Sequence, residues 1–397
     1  MRHVLVVAAV TLTCTGLPAA PDGGGTAGGG NTATAGGGSG GAGGGADAGC
    51  IPLPGCPCDG AGGGAIFYSD RLVIASRASA DAGASVQVWN FISALTPDER
   101  GTAQPLLTGV PVALVGGFGA PPSHSVFALK EGTTAAQTWN GNLVPGCDRP
   151  TDVPAVSAGA GRADQAAGAL WYVRSPGDVA RVTRPTDPAP RNTVFASAGA
   201  PLVDFAYDRS GDRLYAAGTS GIYVWPDAGT RDGGAPDFQL TAEPASQLAL
   251  AGSRLLGSAR TGTLAVWNDI AATTAARPFD FSLDAGEATA IQHHTLGGGG
   301  LFVTVQPTPT SGRVLVYRGF ASTTADRPPD LVIDHPSLTG AREAVLTDGR
   351  FGVADSGVLV VLTATGASIF RDPFGSPSFA AEVSVAPAAP VDLLYLP

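Results

Sequence analysis

One short pattern returns along this chain at a nearly constant interval, and it limits the fold more than any other feature. Its clearest copies are Ser85-Val86-Gln87-Val88-Trp89-Asn90, Gly262-Thr263-Leu264-Ala265-Val266-Trp267-Asn268 and Gly312-Arg313-Val314-Leu315-Val316-Tyr317. Gly221-Ile222-Tyr223-Val224-Trp225 and Gly357-Val358-Leu359-Val360-Val361 are further copies, and weaker ones end at Trp139 and Val182. The last positions fall at 89, 139, 182, 225, 267, 317 and 361, an interval of 42–50 residues. Each copy is a short, mostly apolar run bounded by Gly, Pro, Asp or Ser, which is how a strand between turns reads.

Two flanking signals keep step with the pattern. Downstream come Arg149-Pro150-Thr151-Asp152, Arg277-Pro278-Phe279-Asp280 and Arg327-Pro328-Pro329-Asp330, with Ala235-Pro236-Asp237 as a reduced version. Arg184-Pro185-Thr186-Asp187 arrives too soon after Val182 to fit. Upstream lies a second apolar strand, at 71–76, 213–217 and 254–258, with 301–305 and 350–354 as variants. The fourth unit then reads as four strands, at 202–207, 213–218, 222–225 and 237–240.

Four strands at such a period mark a β-propeller blade. A blade is a small sheet with two apolar faces, so it must lie against a neighbour on each side. The expectation is an all-β, seven-bladed β-propeller over residues 64–397, with six or eight blades as the alternatives. The third-strand aromatics are expected to fill the space between neighbours. Helical solenoids do not suit a chain with 57 Gly, 32 Pro and no 3.6-residue periodicity. After a fourth strand at 379–385, residues 389–395 resemble the inner strand at 200–207. That segment is expected to complete the first blade and close the ring, a place for which 66–68 compete.

Residues 1–20 read as an export signal: Arg2 and His3, then a short apolar run, then small residues. Cys14, in Leu12-Thr13-Cys14-Thr15, resembles the lipidated cysteine of a bacterial lipoprotein signal, although Thr13 and Thr11 stand where small and Leu residues are usual. Residues 21–63 form a Gly-rich linker that cannot offset its own ordering entropy, with a cysteine cluster at its end. Cys50, Cys56, Cys58 and Cys147 in an exported chain suggest two disulfides, with three connectivities open. Cys56 and Cys58 are too close to favour a bridge with each other, so one of them is expected to reach Cys147. The spacing does not suit a zinc knuckle.

A net charge of −10 and a single lysine, Lys130, argue against nucleic acid and against anionic membrane surfaces. No stretch is long and apolar enough to span a bilayer, so any membrane attachment would run through a lipid on Cys14.

Val266-Trp267-Asn268-Asp269-Ile270 and Phe351-Gly352-Val353-Ala354-Asp355-Ser356-Gly357, with their spacers, resemble NHL-type repeat propellers of bacterial exported proteins. The likeness covers the propeller region and is strongest in the last four units. It implies a fold and an interaction platform, with no activity attached.

Motifs that carry chemistry are missing: there is no nucleophile elbow, HExxH, P-loop, dinucleotide fingerprint or EF-hand loop. His293 and His294 are adjacent and would point to opposite faces of a strand, while His124 and His335 sit in Pro/Ser-rich loops and are expected to be exposed. Asp208-Arg209-Ser210-Gly211-Asp212 is too brief for a calcium loop and suits a turn. Aligning the inner strands brings Asp204, Gln247, Glu343 and Asp392 to equivalent places at the channel mouth. There they are candidates for a ligand or a cation, Ca²⁺ being the ion that such oxygens would take; otherwise they are a solvated lining.

The leading expectation is an exported, non-catalytic monomer, secreted or lipid-anchored in the cell envelope, that binds a protein, peptide or glycan. The enzyme alternative is a cation-dependent hydrolase or lyase of lactonase type using Asp204, Glu343 and Asp392. A purely structural envelope component is the third. No metal site and no cofactor is assigned.

Overall fold

The computed structural model describes residues 71–396 except 78–83, 91–101, 105–108, 119–124, 132–134, 140–150, 155–157, 175–176, 186, 188, 198–199, 260–261, 287, 295–299, 309, 348–356 and 386–388. Cys14, Cys50, Cys56, Cys58, Cys147 and His124 lie outside the described residues, as do the export signal, the linker, and segments 66–68 and 350–354.

Seven four-stranded antiparallel sheets make a seven-bladed β-propeller. From the axis outward, blade 2 consists of Pro111–Phe118, Ser125–Lys130, Ala135–Trp139 and Thr151–Pro154. Blade 3 is Ala158–Ala166, Ala169–Arg174, Asp178–Thr183 and Arg191–Phe195; blade 4 is Leu202–Asp208, Arg213–Gly218, Gly221–Pro226 and Phe238–Thr241. Blade 5 is Ala245–Ala251, Arg254–Ala259, Thr263–Trp267 and Phe281–Asp284; blade 6 is Ala288–His294, Gly300–Thr308, Ser311–Tyr317 and Leu331–Asp334. Blade 7 is Glu343–Thr347, Val358–Leu362, Gly366–Arg371 and Ser378–Ser384.

Blade 1 is composite. Its inner strand is the C-terminal Pro390–Leu396, paired antiparallel with Arg71–Ser76, and Ser85–Asn90 and Thr102–Gln104 complete it. The expected closure is therefore made by the end of the chain, and neighbouring inner strands touch all the way round the axis.

The core is divided in the way that blade physics requires. Seven hydrophobic clusters occur among the described residues, one in each space between adjacent blades. In Arg71–Ser76, Leu72 and Ile74 pack toward blade 7, while Val73 and Ala75 pack toward blade 2. A strand covered on both faces reads as an unbroken apolar run, which is why the middle strands stand out in the sequence.

The third-strand aromatic always sits opposite an apolar residue of the second strand: Trp89 opposite Leu72, Trp139 opposite Val126, Trp225 opposite Leu214, Trp267 opposite Leu255 and Tyr317 opposite Leu301. These aromatics are all buried against the preceding blade. In blade 3 Val182 holds the place, opposite Leu170.

Blade 7 corrects the sequence reading. Val358–Leu362 is its second strand, and the third is Gly366–Arg371, where Phe370 stands opposite Leu359. Both strands are apolar runs that follow a glycine, so pattern alone does not separate them. Among the described residues no helix is long and apolar enough to cross a membrane.

Candidate functional site

The inner strands line an axial cavity of about 680 Å³ that opens where those strands begin. The register fixes which residues share a level there. Asp204, opposite Ala217 and then Ile222, corresponds to Gln247 opposite Ser258 and to Ala290 opposite Thr304. It also corresponds to Glu343 opposite Leu362 and to Asp392 opposite Ala75. The four residues that sequence alignment groups, Asp204, Gln247, Glu343 and Asp392, all border this cavity.

Ala113 of blade 2 and Arg162 of blade 3 complete the ring. Sequence reasoning misses Arg162 because its strand, Ala158–Ala166, is mostly Ala and Gly and carries a long register shift between Ala158 and Ala163. The usable signal is one basic residue beside Asp164 in a run of small residues. Most inner strands have a shift at this level, as at Leu202/Asp204 and Ala245/Gln247, and such bulges re-aim side chains toward the axis.

Inner strands are sheet edges, and their outward N–H and C=O groups lack a strand partner. The ring carboxylates serve that need in one repeated way. Asp204 of blade 4 accepts the Leu248 N–H of blade 5 at 2.6 Å. Asp392 of blade 1 accepts the Leu114 N–H of blade 2 at 2.5 Å, and Glu343 of blade 7 accepts the Leu393 N–H of blade 1 at 3.4 Å. Arg162 crosses from blade 3 to donate to the Leu248 carbonyl at 2.9 Å. Each acid thus binds the next blade's inner strand, one residue beyond the ring level.

The ring's electrostatics follow from burial. Burial pushes the Asp204 carboxyl up to about 6, while Arg162 and the Leu248 and Phe205 amides pull the other way. Glu343 is raised well above the ordinary carboxyl range by burial, then by the charge and hydrogen bond of Asp392. Burial raises Asp392 too, against its hydrogen bond from Glu343, the Leu114 and Leu393 amides and Arg162. Two buried carboxyls in contact resist ionising together, so both are raised and they titrate as a pair. Burial lowers the Arg162 pKa, but Asp204, Asp164, Glu343 and Asp392 outweigh it and raise the net value.

The Arg-Pro-x-Asp elements of blades 5 and 6 form clasps where the third strands end, while Arg149 and Pro150 of the first such element lie outside the described residues. Asp280 accepts the Asn268 N–H at 2.6 Å, and Arg277 donates to the Asn268 carbonyl. Asp330 and Arg327 treat Arg318 alike, each at 2.6 Å. In both loops the next residue, Asp269 or Gly319, takes a left-handed conformation (φ 47° and 56°) that starts a 3₁₀ turn. Asp237 pairs with Arg231 at 2.6 Å in blade 4. Arg184 and Asp187 form a looser pair at 3.8 Å on an exposed turn.

His335 differs from its expected exposure. It is half-buried: Nδ1 accepts the Ser337 N–H at 3.2 Å, and the ring stacks on Phe379 with centroids 4.4 Å apart. His293 lies on the inner strand of blade 6, edge-on to Phe320. In the short acidic turn, Asp208 accepts the Ser210 N–H at 2.8 Å. Among the described residues no group of three or more His, Cys, Asp or Glu side chains converges on a point that could hold a metal ion.

No known protein family matches this sequence, and no curated protein does. Several solved structures share the fold. A protein from Bacteroides fragilis NCTC 9343, provisionally described as a 6-phosphogluconolactonase, superposes with a TM-score of 0.57 at 11% identity, over 84% of this chain and 99% of that one. The WD40 β-propeller domain of Doa1 gives 0.50 at 11% identity, over 74% and 86%. At such identities the likeness is one of fold alone.

Proposed function

We propose that this chain is a non-catalytic β-propeller that works outside the cytoplasm as a binding platform for a protein, peptide or glycan, with the channel mouth on its ligand-facing side. The observation that carries this reading is the use of the ring acids. Asp204, Glu343 and Asp392 each give one carboxylate oxygen to an inner-strand amide of the next blade, which gives them a part in keeping the ring together. A lactonase-type site would need these carboxylates to converge on a cation, and they are instead drawn toward the amides of separate blades, which makes the enzyme reading the weaker one.

Residues 21–63 suit a tether and Cys14 a lipid anchor, so the platform would stand off a membrane. The likeness of 266–270 and its spacer to NHL-type repeats belongs to the same proposal.

The experiment uses purified full-length protein on peptide and glycan arrays, beside a lactone-hydrolysis assay with added Ca²⁺, Mn²⁺ or Zn²⁺. Saturable binding without turnover is expected. Metal-dependent hydrolysis lost in Glu343→Gln or Asp392→Asn would replace the platform with an enzyme. Intact mass after membrane extraction tests the lipid on Cys14.

A further inference from the structure

We propose that the cleft between the rims of blades 6 and 7 receives an arginine or lysine side chain of a partner peptide, held between Phe379 and Glu382. The inference rests on the platform reading and gives its partner a chemistry. The cleft, of about 430 Å³, lies between the turn at 335–339 and the outer strand of blade 7. Outer strands end where inner strands begin, so this turn lies on the same face as the channel mouth.

The local backbone brings Phe379 and Glu382 together. Residues three apart in a regular strand point to opposite faces. Here Phe379 stands opposite Phe370 and Glu382 opposite Ser368, while a register shift absorbs Ala380 between them. Phe370 packs with blade 6, and Ser368 donates to the Ser337 carbonyl at 3.1 Å, so both pairs face the cleft. A bulge that re-aims a side chain in this way is a common device beside functional sites. Phe379 is fixed from within: His335 stacks on it with centroids 4.4 Å apart, and Phe370 meets it edge-on at 5.8 Å. It nevertheless stays 42% exposed, which leaves an immobilised ring open to a partner.

Charge selects the occupant. Glu382 is exposed, takes one hydrogen bond, from Thr365 at 3.5 Å, and has no ion pair among the described residues. No arginine or lysine borders the cleft, and Asp334, beside His335 in the chain, is already paired with Arg313 at 2.9 Å. The cleft therefore presents one unpaired carboxylate next to an exposed aromatic ring, in a chain of net charge −10. A guanidinium or ammonium answers both at once, through a charge-assisted hydrogen bond to Glu382 and a cation–π contact with Phe379. An acidic side chain would meet repulsion there, and an aliphatic one would leave the carboxylate unanswered.

The test is fluorescence anisotropy of the full-length protein with short labelled peptides carrying Arg, Lys, Glu or Leu at the centre of an Ala/Thr host. Calorimetric titration with cellobiose is the parallel arm. The Arg and Lys peptides are expected to bind saturably, about tenfold or more tighter than the Glu and Leu peptides. Raising salt from about 0.05 to about 0.5 M should weaken them severalfold. Glu382→Gln keeps the side chain's size and should weaken the Arg peptide about tenfold, while Glu382→Lys should abolish its binding. Both changes fall on an exposed side chain, so the unfolding midpoint should hold. Phe379→Leu, which removes the ring, should weaken the Arg peptide severalfold. Equal binding of the Leu or Glu peptide, Arg binding that survives Glu382→Lys, or saturation by cellobiose in place of any peptide would overturn the proposal. Array capture of another peptide or glycan, unchanged in Glu382→Lys and without Arg or Lys binding, would sink this inference and leave the platform reading standing. Metal-dependent lactone hydrolysis would sink the platform reading itself.

Discussion

Asp204 in blade 4 accepts the amide proton of Leu248 in blade 5 at 2.6 Å, across the seam between two inner strands. Arg162, one blade further back, takes the carbonyl of that same Leu248. An antiparallel residue points its N–H and C=O to one side, so both edge groups of Leu248 face the axis and both are met by charge. Propeller inner strands must solve this problem because no fifth strand covers them. Here the acids at the ring level of blades 1, 4 and 7 solve it for their successors.

The raised, mutually coupled carboxyls of Glu343 and Asp392 tie ring closure to pH. Their pKa values are raised in the folded state, so the folded protein holds a proton that the unfolded chain releases. That stabilisation is complete below the ordinary carboxyl range and is lost as pH rises through the raised value. Asp204 acts in the same direction, from its ordinary 3.8 up to about 6. Glu343→Gln imitates the protonated acid, with a donor toward Asp392 and an acceptor for Leu393. Thermal unfolding from about pH 5 to about pH 8 should therefore lose more stability in the wild type than in this variant. Parallel curves for the two proteins would remove the pair as the source.

The blade 6 clasp should act as one unit. Asp330→Ala strips the acceptor from the Arg318 N–H and the partner from Arg327, 2.8 Å away. The pair is partly exposed, so a loss of about 1 kcal/mol in urea unfolding is expected. Arg327→Ala should cost a similar amount, and the double variant less than the sum of the two. Full additivity would mean that the two side chains do not cooperate in holding the loop.

Most of the architecture is legible before any coordinates, and the reason is specific. A middle strand buried on both faces is an apolar run, and Trp225 against Leu214 or Trp267 against Leu255 repeats at the blade interval. Legibility fails where two such runs adjoin, as with Val358–Leu362 and Gly366–Arg371. At the site, Asp204, Gln247, Glu343 and Asp392 are recoverable because a short inner-strand pattern precedes each. Arg162 is not, because a shift in a strand of small residues sets its level. The engagement of each acid with the next blade is invisible to sequence, since it joins residues 44 to 278 positions apart.

Removing 390–397 should undo the ring rather than trim it. The deletion takes away the inner strand of blade 1, uncovers the paired edge of Arg71–Ser76, and removes Leu393 from the cluster between blades 7 and 1. It also removes Asp392 and with it the Leu114 contact. The truncated chain should lose cooperative thermal unfolding and bind hydrophobic dye, as seen by circular dichroism and fluorescence. A sharp transition near the full-length midpoint would show that the clasp is dispensable.

Phe370 provides the sharpest test of blade 7. It stands opposite Leu359 and packs, 2% exposed, with Phe302 and Val316 of blade 6, which is the place Trp225 holds between blades 4 and 3. Phe370→Ala should cost about 3–5 kcal/mol in chemical unfolding, in the range of Trp225→Ala, because either change empties a closed space between sheets. Phe370→Leu keeps most of the volume and should cost less than about 1.5 kcal/mol. If Val361 ended the third strand instead, Phe370 would lie beyond it in a connecting segment, and its truncation would cost well under 1 kcal/mol, about what surface substitutions do. The ratio of the Ala to the Leu penalty therefore decides between the two registers, whatever the protein's total stability.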